Sequence, residues 1–154
     1  MILVVIDMQN LFVRQLPNSR RVINYISKEI ESCIQQKYPI VFVEYCDEGK
    51  TIPELTNITI GYRNTYHITK YEDDGSDAIK RFISKKRINY SKLRITGVNY
   101  QYCVLKTVCG LRDKYDIEIV DRACSTSDVD HEEARDEVLS SITHYNNVCV
   151  VNWF

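Results

Sequence analysis

The stretch that most constrains the fold is Leu93 to Thr107, LRITGVNYQYCVLKT, an apolar strand that breaks at Gly97 and re-enters a helix near a cysteine. If the helix starts there, Cys103 lies where unpaired N–H groups and the helix dipole lower a thiol's pKa. That is a place for a nucleophile. Read alone, Cys103 is better taken as a small buried hydrophobe among six cysteines: Cys33, Cys46, Cys103, Cys109, Cys124 and Cys149. No C-x-x-C pair occurs among them, so neither a zinc knuckle nor a disulfide framework is expected, and most should be reduced and buried.

The same strand-to-helix alternation runs through the chain. Residues 2–6 form a continuous aliphatic run ending at Asp7, the pattern of a parallel strand covered on both faces. Val22, Ile26, Ile30 and Cys33 or Ile34 recur at helical spacing. Residues 40–45 make a second buried strand, followed by a polar turn at 46–50. From Thr51 to Tyr66 periodicity is weak, and an irregular excursion over the sheet edge is expected. A short strand over 66–69 would deliver Lys70, and Ser76 would cap a helix to about Lys85. The strand at 93–98 leads to a helix from about 102 to 113. A fifth strand at 117–120 ends at Asp121, a helix starts at Ser127 or Asp128, and a sixth strand covers 148–151. This order predicts an α/β, three-layer αβα fold with an open six-stranded parallel sheet and helices on both faces. At 154 residues one domain spanning 1–154 suffices.

Charge narrows the partners. Lys plus Arg total 20 against 21 for Asp plus Glu, a formal charge of −1, which argues against nucleic acid or an acidic membrane. Met1 runs directly into apolar residues without a basic leader, and no apolar run approaches the length of a membrane span, so a cytoplasmic protein is expected. The apolar pair Trp153-Phe154 would pack at an interface or close the core.

In sheets of this kind ligands bind outside the carboxyl ends of the strands. Asp7, Lys70 and the loop to Cys103 all fall on that edge, bringing a base, a counter-charge and a nucleophile to one place. The segments Val5-Ile6-Asp7-Met8-Gln9-Asn10, Ile68-Thr69-Lys70 and Gly97 to Val104, with Asp121-Arg122-Ala123-Cys124-Ser125, together resemble the isochorismatase-like cysteine hydrolases, which include nicotinamidases and N-carbamoylsarcosine amidases. The resemblance covers nearly the whole chain. It implies that Cys103 attacks a carbonyl carbon, that Asp7 shuttles the proton and that Lys70 stabilises the thiolate and orients the acid. It also implies a cis peptide at Val98-Asn99 and an oxyanion hole from the backbone N–H groups of Tyr102 and Cys103. The implied substrate is a small molecule with an amide, carbamoyl or similar C–N bond, cleaved through an acyl-enzyme. Homodimers or homotetramers are implied as well.

Two departures shape the substrate expectation. Metal-bearing nicotinamidases carry Asp-x-His-x-x-x-His after the second strand, whereas this chain reads Glu44-Tyr45-Cys46-Asp47-Glu48-Gly49-Lys50. No metal or other cofactor is therefore expected, and nicotinamide is put in doubt. Isochorismatases proper lack the cysteine, so Cys103 argues against isochorismate. Phe12, Tyr45, Tyr66 and Tyr100 are placed to wall a pocket, as Tyr102 is, although aromatic residues at strand ends also serve packing. Two rivals remain open: a metal-dependent phosphohydrolase using Asp7, Asp47 and Asp121, and a binding or assembly module that keeps the fold without turnover.

Overall fold

The structure, a computed structural model, describes residues 1–152; Trp153 and Phe154, and the packing expected of them, lie outside the described residues. Its centre is a six-stranded parallel sheet in the order β3-β2-β1-β4-β5-β6. The strands are β1 (Ile2–Ile6), β2 (Ile40–Tyr45), β3 (Thr65–Lys70), β4 (Lys92–Val98), β5 (Asp116–Ser125) and β6 (Val148–Val151). Alternate residues of β1 feed different cores, because successive side chains of a strand face opposite ways. Ile2, Val4 and Ile6 pack with α4 (Ser76–Lys86), α5 (Leu105–Leu111) and α6 (His131–Ile142). Leu3 and Val5 pack with α2 (Ser19–Gln35) and the short helix α3 (Pro53–Thr56). Another short helix, α1 (Asn10–Val13), follows β1. The αβα expectation holds.

The chain builds outward from β1 to β3, then returns to lay β4 on the other side of β1. That reversal opens a crevice between the carboxyl ends of β1 and β4, where ligands bind in sheets of this type. No helix among the described residues is long and apolar enough to cross a membrane.

Several boundaries differ from the sequence expectation for local reasons. The 51–66 excursion contains α3, started by Pro53 in its first turn, and a 3-10 turn at Asn57–Thr59. Ser76 does not cap α4; its N–H instead donates to Asp74 Oδ1 at 2.8 Å. The last helix begins later than expected, because Asp130 caps it by accepting from the Glu133 N–H at 2.9 Å. β5 continues past Asp121 to Ser125, since its register against β4 shifts between Ile95 and Gly97 and pairing then resumes at Gly97 with Cys124. Asp121 therefore lies within a strand, at an irregularity, and not at a strand end.

Gly97 occupies the tightest point between β4 and β1. Its φ is +138°, and a Cβ there would press on the Ile6 carbonyl oxygen and lie 2.8 Å from the Ile6 nitrogen. Both backbone strain and overlap thus oppose any side chain. Gly97→Ala is expected to destabilise the fold by about 3 kcal/mol or more, summing a disfavoured φ and an overpacked contact. Urea denaturation checks this: the midpoint should fall with little change in slope.

Candidate active site

Asp7 is the first residue beyond β1. Its N–H donates to the Val43 carbonyl at 2.9 Å, continuing the pairing with β2, and its left-handed φ of +56° ends the strand abruptly. Lys70 ends β3, two strands away, and its long side chain spans β2 to reach it. The ammonium nitrogen lies 2.9 Å from Asp7 Oδ2, with both side chains buried. It meets that oxygen as an ion pair without the direction of a good hydrogen bond, and Asp7 Oδ1 has no hydrogen-bond partner among the described residues.

Two supports hold the lysine. Its Nζ donates to the Asp73 carbonyl at 3.0 Å and sits 4.7 Å from the centre of the Tyr45 ring. Tyr45 is itself clamped by the buried Gln9. The Gln9 side chain accepts from the Tyr45 N–H at 2.8 Å and donates to the carbonyls of Tyr45 at 2.9 Å and Gly49 at 2.8 Å. Every hydrogen-bonding role of that carboxamide but one lone pair is thereby used. Gln9 has no assigned role in the sequence reading. The only signal was its place, two residues beyond Asp7, in a polar step after an apolar strand.

The nucleophile turn departs from the expectation in three ways. No cis peptide occurs among the described residues, so Val98-Asn99 is trans; the turn is made by Asn99 in the left-handed region, at φ 60° and ψ 56°. Asn tolerates that region better than most residues do. Second, residues Tyr100–Val104 form a π-helical segment before α5, so Cys103 does not occupy the first turn of an ordinary α-helix. Third, the Tyr102 N–H donates to the Asn99 carbonyl at 2.9 Å and the Val104 N–H to the same oxygen at 3.3 Å. Tyr102 is thus not a free oxyanion donor.

Cys103 is 3% exposed and interacts with both Asp7 and Lys70. Its sulfur also lies 3.9 Å from Asp73 Oδ1 and 3.9 Å from the Asn99 amide nitrogen. The structure therefore brings Asp7, Lys70 and Cys103 together. The electrostatics of the resting site run opposite to the helix-start argument. Burial first, then the Asp7 charge, push the thiol up to about 12, while Lys70 opposes them. Burial also raises the Asp7 carboxyl above its ordinary value, partly offset by Lys70. A neutral thiol beside a carboxylate–ammonium pair is the resting arrangement.

Asp73 is a second residue that sequence reasoning missed at the site. It lies in the loop after β3, and Lys106 holds its carboxylate at 2.6 Å; that hydrogen bond, against burial, keeps it below its ordinary pKa. One acid among Glu72, Asp73 and Asp74 offers no sequence signal of its own. Its position is set by the Lys70 side chain doubling back to its carbonyl.

Of the expected pocket aromatics, Tyr45 and Phe12 lie together, with ring centres 6.4 Å apart edge to face, next to Lys70. Tyr66 does not belong to the site. It is at the amino end of β3, roughly 13 Å of strand from Lys70, and packs on Phe82. Tyr100 is fully buried, its hydroxyl donating to Asp121 Oδ1 at 3.2 Å and its ring stacked on His131, so it supports the turn from behind.

Nor do Asp7, Asp47 and Asp121 converge on a cation. Asp7 pairs with Lys70, Asp47 is exposed, and Asp121 is occupied by Tyr100, His131 and Arg135. Among the described residues no group of three or more His, Cys, Asp or Glu is placed to hold a metal ion. The carboxyl end of β2 does not fit one either. Glu44 accepts from the Thr51 N–H at 2.9 Å and hydroxyl at 3.0 Å, and meets Lys50 at 3.1 Å and His67 Nδ1 at 2.9 Å. Burial raises its pKa, but those donors outweigh burial and hold it below the ordinary value.

Comparison with known proteins agrees with the fold. The sequence profile of the Isochorismatase domain matches residues 1–149, and the chain belongs to the isochorismatase family of hydrolases. Solved structures of similar fold include the nicotinamidase of Staphylococcus aureus, with TM-score 0.80 and 17% identity over 97% of this chain and 95% of that one. The MAR1 ribonuclease of Caenorhabditis elegans matches with TM-score 0.79 and 19% identity, over 97% of this chain and 76% of its own. The octameric hydrolase YcaC of Escherichia coli matches with TM-score 0.81 and 16% identity, over 99% and 74%. At such identities these structures share the fold. No curated protein sequence matches the chain.

Two outcomes test the site. Lys70→Met should destabilise by about 3–5 kcal/mol at neutral pH, because it leaves Asp7 buried without its counter-charge. Adding Asp7→Asn should recover part of that loss in chemical denaturation. In iodoacetamide alkylation followed by mass spectrometry, Cys103 should require a higher pH than the exposed Cys149, and Asp7→Asn should lower its midpoint. A Cys103 that titrates below Cys149 in the free protein would contradict the charge balance described.

Proposed function

We propose that this protein is a cysteine hydrolase that cleaves an amide, carbamoyl or related C–N bond of a small molecule. The observation that carries this reading is the buried Asp7–Lys70 pair with the Cys103 thiol against it. Asp7, raised above an ordinary carboxylate, is the base for that thiol. On attack, the thiol proton passes to Asp7, sulfur bonds to the carbonyl carbon, and a tetrahedral oxyanion forms. The proton then moves from Asp7 to the nitrogen as the C–N bond breaks, leaving a thioester and a free amine or ammonia. Water, giving its proton to Asp7, attacks the thioester, and return of the proton to sulfur releases the acid.

Lys70 stabilises both anionic stages, the carboxylate at rest and the thiolate during attack. The Cys103 N–H and the Asn99 carboxamide are the donors assigned to the oxyanion. Tyr45 and Phe12 form the apolar wall beside the pair. No step uses a metal, in keeping with a Glu44 already satisfied by protein donors. Self-association to a homodimer or homotetramer belongs to the same reading; one relative of this fold, YcaC, is octameric.

A second reading, a binding module without turnover, draws on one observation: Cys103 is almost wholly buried. A panel of small primary amides and carbamoyl compounds separates the two. The hydrolase should accumulate a Cys103 acyl adduct detectable by mass spectrometry, and Cys103→Ala should lose activity on the order of 10⁴-fold or more. Turnover should fall on the acid side with a midpoint above the ordinary carboxylate value of about 3.9, because base action requires ionised Asp7 and burial raises its pKa. An acid limb at or below that value would assign the base elsewhere.

A further inference from the structure

A second cleft, of about 480 Å³, opens beside the first turns of α2 and α6 and takes no part in the chemistry above. Arg21, Arg122 and Arg135 line it, together with His131, Asp121 and Glu132. Its two acids do not neutralise its three guanidinium groups. Asp121 is already occupied: Tyr100 donates to Oδ1 at 3.2 Å, His131 Nε2 lies 3.2 Å from Oδ2, and Arg135 Nε lies 3.5 Å from Oδ1. Arg122 donates one N–H to the Tyr25 hydroxyl at 2.9 Å.

Arg21 is left over. Its Nε and Nη2 are buried yet have no hydrogen-bond partner among the described residues. Buried charged donors are costly to leave unmet, so an acceptor is missing from this arrangement. The setting repeats the demand. Arg20 and Arg21 stand in the first turn of the seventeen-residue helix α2, whose positive dipole end has no acidic residue and no side-chain cap. Cations at that end are unfavourable unless an anion sits with them. Asn18, the residue at the cap position, instead accepts from the Ser125 hydroxyl at 2.7 Å.

We propose that this cleft binds a phosphate group carried on a small molecule. Guanidinium groups from three separate elements, α2, β5 and α6, converge on it. A phosphate offers three diverging oxygens that could meet them together, whereas a carboxylate offers two in one plane. This site is independent of the hydrolytic reading, because its residues do not touch Cys103.

The test is isothermal titration of the full chain with inorganic phosphate and with pyrophosphate at fixed ionic strength, with acetate as the carboxylate comparison. One saturable site for the phosphates and none for acetate is expected. Arg21→Gln and Arg122→Gln should each weaken binding by about tenfold or more. Arg81→Gln, which removes the same charge from α4, should leave it unchanged. Arg21→Lys keeps the charge but loses the fork, and should still weaken binding. Arg122 is exposed, so its variant decides the matter even if Arg21→Gln does not fold. Absence of saturable binding, equal binding of acetate, or equal loss in Arg81→Gln would each overturn the proposal.

Discussion

The site depends on one ion pair. Asp7 and Lys70 come from strands separated by β2, and neither charge would be tolerated alone at the depth where they meet. Desolvation costs each several kcal/mol, and attraction in a low-dielectric interior offsets that only if the geometry is held. The surrounding residues hold it: Gln9 fixes Tyr45, Tyr45 and the Asp73 carbonyl fix Lys70, and the Val43 carbonyl fixes the backbone of Asp7. Such a pair is a poor way to stabilise a fold. It is a good way to keep a carboxylate ready for a proton.

The resting thiol follows from the same pair. A helix N-terminus would favour thiolate, but Cys103 is in a π-helical segment, buried, and next to a negative carboxylate. The larger effects therefore favour the neutral form. A cysteine held as a thiol is protected from oxidation, which proceeds through thiolate. The close approach of β4 to β1 at Gly97 is what brings the sulfur near Asp7 at all, since any side chain at that residue would push the two strands apart.

Much of the scaffold was legible in the sequence. Short apolar runs such as Ile2–Ile6 and Ile40–Tyr45 can only be strands buried on both faces, and their alternation with amphipathic helices implies a parallel sheet. The meeting of Asp7, Lys70 and the Cys103 turn at one sheet edge was legible as well, because each lies at or after the end of a strand. Features depending on irregular backbone were not. The extension of β5 past Asp121 comes from a register shift against β4, and the π segment at Tyr100–Val104 has the same composition as an ordinary helix start. Tyr66 was misplaced because a residue at the start of a short strand looks, in sequence, much like one at its end.

The sequence by itself determined the layers, the parallel sheet and the sheet edge to which Asp7, Lys70 and the Cys103 turn are delivered, because period and strand-end placement are local properties of the chain. Tertiary structure alone decided which groups are paired and in which charge state. Asp73 beside the thiol, Gln9 behind Tyr45 and the unmet donors of Arg21 all arise where segments distant in sequence meet. Burial and proximity set pKa and partner choice, and both are sums over neighbours that a linear pattern does not contain.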